Sequence, residues 1–326
     1  MPRPIMLGIV GDSGSGKTTV TRGLVRVLGS DMVTHFCTDD YHRFDRRQRA
    51  ERDMTPLDPA CNYLDILTQH LGHLRANAPV LKPVYRHADG TFGSPEYFAP
   101  ERFVVAEGLL AFHLRELREM FDVRVYLDPP EELRRRWKVA RDCARRGYRT
   151  DDVLAELDRR EADSEAFIRP QRRHADIVVS FRAGASDDPD KLDAHLFLRD
   201  TLPQPDLVEV IARGTADGLT LTVQPGGQEL VVPGSIPATH AAELEEAIWD
   251  RMHFASHLRE QRLGEFVVGN ELHKSNALAL TQLLILYQVV TARAVVALGG
   301  KTARASDATV VEEEPAPTTA TLHLAG

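Results

Sequence analysis

Between residues 5 and 181 short apolar runs recur along the chain: "IMLGIV" (5–10), "VTHFCT" (33–38), "RFVVAE" (102–107), "VRVYL" (123–127) and "DIVVSF" (176–181). Between them apolar residues fall at helical spacing, as in "TTVTRGLVRVLG" (18–29). Near-continuous apolar runs predict strands buried on both faces. Their alternation with helices predicts an α/β fold, a mainly parallel sheet flanked by helices. The polar stretch "RAGASDDPD" (182–190) then loosens the pattern. Beyond it "LVEVIARG" (207–214), "GLTLTVQPGG" (218–227) and "QELVVPG" (228–234) read as strands joined by glycine turns, followed by helical patterns at 239–260 and 271–298. From 301 the chain mixes Pro, Thr, Ala and Glu without a period, which predicts disorder. The expected organisation is a core domain at 1–205, a smaller C-terminal α+β extension packing on it at 206–300, and a tail at 301–326.

Composition narrows the function classes. The 326 residues carry a net charge of -8, which argues against wholesale binding to nucleic acid or an acidic membrane surface. Arginines nevertheless bunch at 43–52 and 134–149, the mark of local anion sites. Cys37, Cys61 and Cys143 are too few and scattered for a disulfide framework and fit a reducing cytoplasm. The N-terminal residues reach glycines and an aspartate before an apolar signal region can form. The run "ALALTQLLILYQVV" (277–290) is broken by Thr and Gln, so it reads as a buried helix and no stretch is expected to span a membrane. A soluble, cytoplasmic protein acting on a small molecule is the expectation.

"GDSGSGKT" (11–18) fits the phosphate-loop pattern G-x-x-x-x-G-K-[ST], between a strand run and an amphipathic helix. Glycines let backbone N–H groups turn around phosphates at a helix N-terminus. Gly11, Asp12, Ser13, Gly14, Ser15, Gly16, Lys17, Thr18 and Thr19 are therefore the candidate ATP-binding residues, with Lys17 on the β- and γ-phosphates and the Thr18 hydroxyl on Mg²⁺. Glu107, ending "RFVVAE", is the second candidate metal ligand; a solvated strand-end carboxylate is the alternative. Asp128 and Glu131 in "VYLDPPEEL" read as a capping box at a helix start.

"CTDDYHRFDRR" (37–47) separates a kinase from a switch. A kinase acting on a hydroxyl needs a carboxylate to accept its proton. Asp39 follows a strand run at its carboxyl end, where open α/β sheets form their ligand crevice. Asp40 is adjacent, and since neighbouring side chains diverge, Asp39 is the candidate base. Arg43, Arg46, Arg47, Arg49 and Arg52 crowd the next residues, and guanidinium groups grip phosphate well. A few of them are expected to be ligands and the rest a solvated face. "PEELRRRWKVARDCARRGYR" (130–149) reads as a helix with an apolar stripe of Leu133, Trp137, Ala140 and Ala144 and a cationic face of Arg134, Lys138, Arg141 and Arg145. Such a helix suits a lid, spanning about 130–165, that closes over phosphates; surface solubility is the competing reading.

Taken in order, the phosphate loop, "TDDYHRFDR", "TPLDPACNYLD", "PVYRHADG", "VVAEGL", "VYLDPPEELRRRWKVARDCARRGY" and "RPQRRHADIVVSF" resemble the phosphoribulokinase family in its plant and cyanobacterial form, strongly over about 1–181. "DRMHFASHLREQRLGEF" (250–266) resembles a segment near the family's C-terminus. The resemblance implies a P-loop NTPase-like fold and transfer of the ATP γ-phosphate to O1 of D-ribulose 5-phosphate. It places the base at Asp39, with Lys17, Glu107 and Arg141 as the other catalytic groups. It puts His42 and Arg46 on the sugar phosphate, Tyr85 and His87 in an acceptor loop, and Lys138, Arg141, Asp142 and Arg146 in the lid cluster. It also implies a homodimer. Three departures stand out. Leu110 follows "EGL" where the family has histidine, and His113 is offset from that place. Ser15 replaces the phosphate-loop cysteine of plant enzymes, leaving Cys37 without that partner. No cysteine follows Cys143, so a disulfide switch is not expected. A uridine kinase and a non-catalytic nucleotide switch are the rival readings.

Overall fold

The five apolar runs between 5 and 181 become the parallel part of one sheet. The structure, a computed structural model, describes residues 2–184, 191–213, 218–252, 258, 262–268 and 271–304. In chain order the strands are β1 (Ile5–Gly11), β2 (Val33–Cys37), β3 (Val80–Lys82), β4 (Tyr85–Arg86), β5 (Thr91–Phe92), β6 (Glu96–Phe98), β7 (Phe103–Gly108), β8 (Val123–Leu127), β9 (Ile177–Ala183), β10 (Leu192–Arg199), β11 (Thr220–Gln224), β12 (Gly227–Val232), β13 (Glu265–Val268) and β14 (Glu271–Lys274). The helices are α1 (Lys17–Leu28), α2 (Arg46–Glu51), α3 (Leu64–Arg75), α4 (Arg115–Arg118), α5 (Glu131–Arg146), α6 (Thr150–Arg159), α7 (Glu161–Asp163), α8 (Leu207–Arg213), α9 (Ala238–Trp249) and α10 (Asn276–Ala297).

The main sheet runs β11-β12-β10-β9-β8-β1-β7-β2. β9, β8, β1, β7 and β2 pair in parallel, and β10, β12 and β11 join antiparallel. β1 shows why the centre needs near-continuous apolar sequence. Ile5, Leu7 and Ile9 pack into a core with α1, α9 and α10, while Met6 and Val10 pack on the other face with α3 and α4. The strand period of two sends alternate residues to opposite faces, and both faces are covered.

Several expectations give way. The strand predicted at 207–214 is instead α8 over Leu207–Arg213, residue 214 lying outside the described residues. Leu207 and Val210, three apart, are buried, and Asp206 Oδ1 accepts from the Glu209 N–H at 3.0 Å. That capped turn outweighs β-type composition. β10 arises where no strand is predicted; its buried Ala194, Leu196 and Leu198 alternate as a strand requires. The helix predicted at 271–298 begins only at Asn276, because residues 271–274 pair as β14 with β13. Residues 185–190 and 305–326 lie outside the described residues; of the tail predicted from 301, residues 301–304 are described and bind the core.

α10 also corrects the expectation that no stretch matches a membrane span. Its 22 residues include an 18-residue stretch of mean hydropathy 1.5, long and apolar enough to cross a bilayer. Here Ala277 through Leu286 are buried, and the helix packs on β1, β8, β10, α1 and α9 as a core helix. Two of its buried glutamines are held through one amide atom each: Gln282 Oε1 accepts from the Gly264 N–H at 2.9 Å and Gln288 Nε2 donates to Pro203 O at 2.9 Å. Gly23 of α1 permits this approach, since a Cβ there would lie 1.9 Å from Gln282 Nε2.

A clasp of buried charges joins the two ends of the described chain. Both Arg3 nitrogens donate to the Asp122 carboxylate at 2.7 and 2.6 Å, and Arg3 Nη2 also donates to Lys301 O at 2.6 Å. Arg304 grips Asp176, which is fully buried, through both guanidinium nitrogens, and Thr201 Oγ1 donates to the same carboxylate at 2.7 Å.

Candidate active site

The phosphate loop leaves β1 at Gly11 and enters α1 at Lys17. Gly14 and Gly16 sit in left-handed conformations, with φ of 90° and 92°, which their missing side chains permit. No side chain caps α1, so its first amides stay turned toward the loop. Lys17 Nζ donates to Gly11 O at 2.7 Å and Asp12 O at 2.9 Å. Burial lowers its ammonium pKa, against the opposing charges of Asp39, Glu107 and Asp12, and Arg141 lowers it further. That set of interacting groups is informative in itself. Asp39, Glu107 and Arg141, which come from three other segments of sequence, all lie within electrostatic reach of Lys17.

Glu107 occupies the penultimate position of β7 and is buried. Its Oε1 accepts from Thr18 Oγ1 at 3.3 Å and its Oε2 from Thr21 Oγ1 at 2.9 Å, and His35 Nε2 lies 3.3 Å from Oε1. Burial alone would raise the carboxyl pKa; bonds from His35 and Thr21 and the Lys17 charge outweigh it and lower it. The pair Thr18 and Glu107 therefore offers hard oxygen donors beside Lys17, a donor set that fits Mg²⁺. His35 and Thr21 are not among the residues that the sequence singles out. Thr21 sits one turn after Thr18, a visible spacing, but His35 reaches Glu107 only because β2 pairs with β7 in the register Cys37↔Glu107.

Asp39 and Asp40 do diverge. Asp40 is buried, forms an ion pair with Lys82, and accepts the Tyr85 N–H on Oδ1 at 2.8 Å. It staples the turn after β2 to β3 and β4. Asp39 is half-buried and lines a pocket with Thr38, Asn62, Leu64, Leu67, Leu109 and Leu110. His42 is buried, with Nδ1 2.8 Å from Asn62 Oδ1, and desolvation lowers its pKa to about 4. Tyr85 is buried against His42, its hydroxyl accepting from Arg49 Nη2 at 2.7 Å. His87 is exposed just beyond β4, and Arg46 Nη2 donates to its carbonyl at 2.6 Å. Within the arginine run, Arg49 is a buried strut. Arg47 pairs with Glu51 at 2.8 Å, Arg52 lies over Phe44 and Arg43 over Tyr63.

α5 lies against the phosphate loop with its cationic face inward. A Cβ on Gly14 would sit 3.0 Å from Lys138 Cβ, and Arg134 Nη1 donates to Ser13 O at 3.0 Å and stands 3.5 Å from Asp12. The buried residues are Leu133, Arg134, Lys138 and Asp142, whereas Ala140 and Ala144 are exposed and Trp137 is half-buried. The predicted apolar stripe is thus displaced, because polar loop backbone calls for donors that alanines lack. Asp142 accepts from Lys138 Nζ at 2.5 Å and from Arg141 Nε at 2.8 Å. These bonds outweigh the effect of its burial and hold its carboxyl at about 2, while burial pushes Lys138 down to about 8. The side chain of Arg146 lies outside the described residues. The helix start corrects another expectation: Pro130 is the residue before the first turn, Glu131 pairs with Arg134 at 2.7 Å, and Asp128 binds Arg172 at 2.8 Å instead of capping. After α7 a single π-helical turn, Ser164–Ile168, places Ser164 Oγ on Asp12, and neighbouring Asp163 accepts from Thr55 at 2.5 Å. One short segment thereby touches both the phosphate loop and the loop that carries Asn62.

The phosphoribulokinase of Synechocystis sp. is 38% identical over 179 residues, covering 55% of this chain and 54% of the relative. The uridine kinase of Staphylococcus epidermidis is 32% identical over 187 residues, covering 55% of this chain and 88% of the relative. The chain spans about half the length of the phosphoribulokinase it matches. In fold, a solved phosphoribulokinase from Rhodobacter spheroides superposes with a TM-score of 0.59 at 20% identity, over 77% of this chain and 97% of the other. The pattern of the Phosphoribulokinase / Uridine kinase family matches residues 6–185, and the chain belongs to that family of P-loop kinases.

Proposed function

We propose that the protein transfers the γ-phosphate of ATP to O1 of D-ribulose 5-phosphate, giving ribulose 1,5-bisphosphate and ADP. The observation that carries this reading is the convergence of a half-buried carboxylate, Asp39, on the phosphate-loop Lys17, with Glu107 and Arg141 beside them. Asp39 accepts the proton of the acceptor hydroxyl as phosphoryl transfer proceeds. Lys17 and Arg141 meet the charge that develops on the phosphoryl oxygens. Thr18 and Glu107 would hold Mg²⁺, which when bound neutralises charge on the phosphates. α5 covers the loop and excludes water from the transfer. His87 and Arg46, on the acceptor side, bind the sugar phosphate, with His42 and Tyr85 shaping that wall. Lys138 and Asp142 orient Arg141 from within the lid. Residues 206–300 brace the kinase core, and the working unit is a cytoplasmic homodimer.

The acceptor rests on the greater identity to a phosphoribulokinase and on the meeting of Arg46 with the His87 segment. A second reading, a nucleoside acceptor, has one observation in its favour. The chain covers 88% of the length of a uridine kinase that it matches at 32% identity, against 54% of the phosphoribulokinase.

An ADP-release assay with Mg-ATP separates the readings, offering ribulose 5-phosphate, uridine or no acceptor. The expected result is turnover with ribulose 5-phosphate alone. In Asp39→Asn kcat falls by about a hundredfold or more, with KM for the acceptor little changed. Turnover with uridine alone would transfer the assignment to the nucleoside. ADP release that ignores both acceptors and survives Asp39→Asn would refute kinase chemistry at this carboxylate.

A further inference from the structure

Cys37 ends β2, Asp39 lies in the turn that follows, and His87 stands just beyond β4. One ligand atom from each, Sγ, a carboxylate oxygen and a ring nitrogen, lies within 4.8 Å of the others. Zinc-type bonds of about 2.0–2.3 Å at tetrahedral angles set ligands about 3.5 Å apart, so small side-chain rotations close the set around one ion. The backbone that carries them is pinned. Asp40 Oδ1 holds the Tyr85 N–H at 2.8 Å, and Arg46 holds the His87 carbonyl at 2.6 Å.

The donor set is mixed and soft: thiolate, imidazole and one carboxylate. It differs in kind from the oxygen pair of Thr18 and Glu107, although Cys37 and Glu107 are register neighbours on paired strands. Hard Mg²⁺ favours the oxygen pair, and a borderline-soft ion such as Zn²⁺ favours the sulfur and nitrogen.

We propose that Cys37, Asp39 and His87 form an inhibitory site for a borderline-soft divalent cation of the Zn²⁺ class, distinct from the Mg²⁺ position. Binding forms S–metal, N–metal and O–metal bonds, and the thiol proton leaves to solvent; nothing is oxidised or reduced. The inhibitory consequence rests on the kinase reading above, because the ion occupies the Asp39 oxygen that would accept the acceptor's proton. With three protein ligands and an exposed His87, the ion keeps an open position and exchanges with solvent, so a chelator restores activity.

The test uses the whole chain and two probes. Co²⁺ titration is followed by its thiolate-to-cobalt charge-transfer band, and Zn²⁺ is titrated into the Mg-ATP assay. Both are run on the parent chain and on Cys37→Ser. The expected outcome is a band in the parent that Zn²⁺ displaces and that is lost in Cys37→Ser. The half-inhibiting Zn²⁺ concentration rises by about tenfold or more in that variant, while its uninhibited rate is retained. His87→Ala weakens Co²⁺ binding but keeps the band, which guards against a misfolded serine variant. No band in the parent, a band that survives Cys37→Ser, or equal Zn²⁺ inhibition of both chains would overturn the site. Since the band needs no turnover, a chain inactive on ribulose 5-phosphate would sink the kinase reading and leave the ion site standing on its own result.

Discussion

Asp142→Asn is the substitution whose magnitude the structure defines best. Asp142 is 2% exposed and accepts from both Lys138 and Arg141. Holding its carboxyl at about 2, against an ordinary 3.8, is worth about 2 kcal/mol of folding stability at neutral pH. Lys138 works the other way. Pushed from 10.5 down to about 8, its ammonium costs about 3 kcal/mol to keep charged at pH 7. The two nearly cancel, so the buried pair adds little net stability, as is common for desolvated ion pairs. Removing one partner is different, because Asp142→Asn leaves the ammonium buried and uncompensated. The expected loss is about 3 kcal/mol at pH 7.5, read as a lower urea midpoint at unchanged slope.

The double variant Lys138→Met with Asp142→Asn should return to within about 1 kcal/mol of the parent while kcat stays depressed, since Arg141 has lost its anchor. The pH profile supplies a second check. The Asp142 contribution is fully present above about pH 4 and is lost as pH falls through 2, a decline that Asp142→Asn lacks. Because the unfolded chain keeps the Lys138 proton longer than the folded one, parent stability rises between pH 8 and 10.5 from this group. A single variant that loses under about 1 kcal/mol, or a double variant no more stable than the single, would refute the account of α5 as a cationic helix held in place by Asp142.

Two further outcomes are expected. His35→Ala should raise the Mg²⁺ concentration for half-maximal rate by about tenfold while leaving the acceptor KM unchanged, because His35 acts by orienting the Glu107 carboxylate; an unchanged Mg²⁺ requirement would remove that role. Lys82→Met should lower stability by about 3–5 kcal/mol in urea unfolding, since Asp40 is left buried with only the Tyr85 amide for company. A loss below about 1 kcal/mol would mean that Asp40 finds another partner.

Legibility in the sequence follows the range of the interaction. β1, the phosphate loop and α1 can be read because strand, glycine turn and helix are local patterns. That Asp39 and Asp40 part ways needs only that adjacent side chains diverge, whereas the buried cation 42 residues away that holds Asp40 could not be indicated by any spacing. α8 reads wrongly as a strand although its Asp206–Glu209 cap is present in the sequence, because its apolar β-type residues carry the stronger signal. The inward face of α5 is invisible for another reason: what it packs against is backbone, which leaves no residue pattern. His35 needs the β2–β7 register, a fact of pairing between segments about 70 residues apart.

The clasp between the two ends of the described chain has a consequence for synthesis. Asp176 is fully buried, yet its guanidinium partner Arg304 lies 128 residues downstream. Arg3 meets the carbonyl of Lys301, 298 residues further on. A nascent chain thus carries a core carboxylate without its counter-ion until almost all of the described fold has left the ribosome. The phosphate loop can form early, but the sheet behind it cannot seal until then. A chain cut after residue 300 would resemble such an intermediate permanently, with every proposed catalytic residue present and the floor beneath them unfinished.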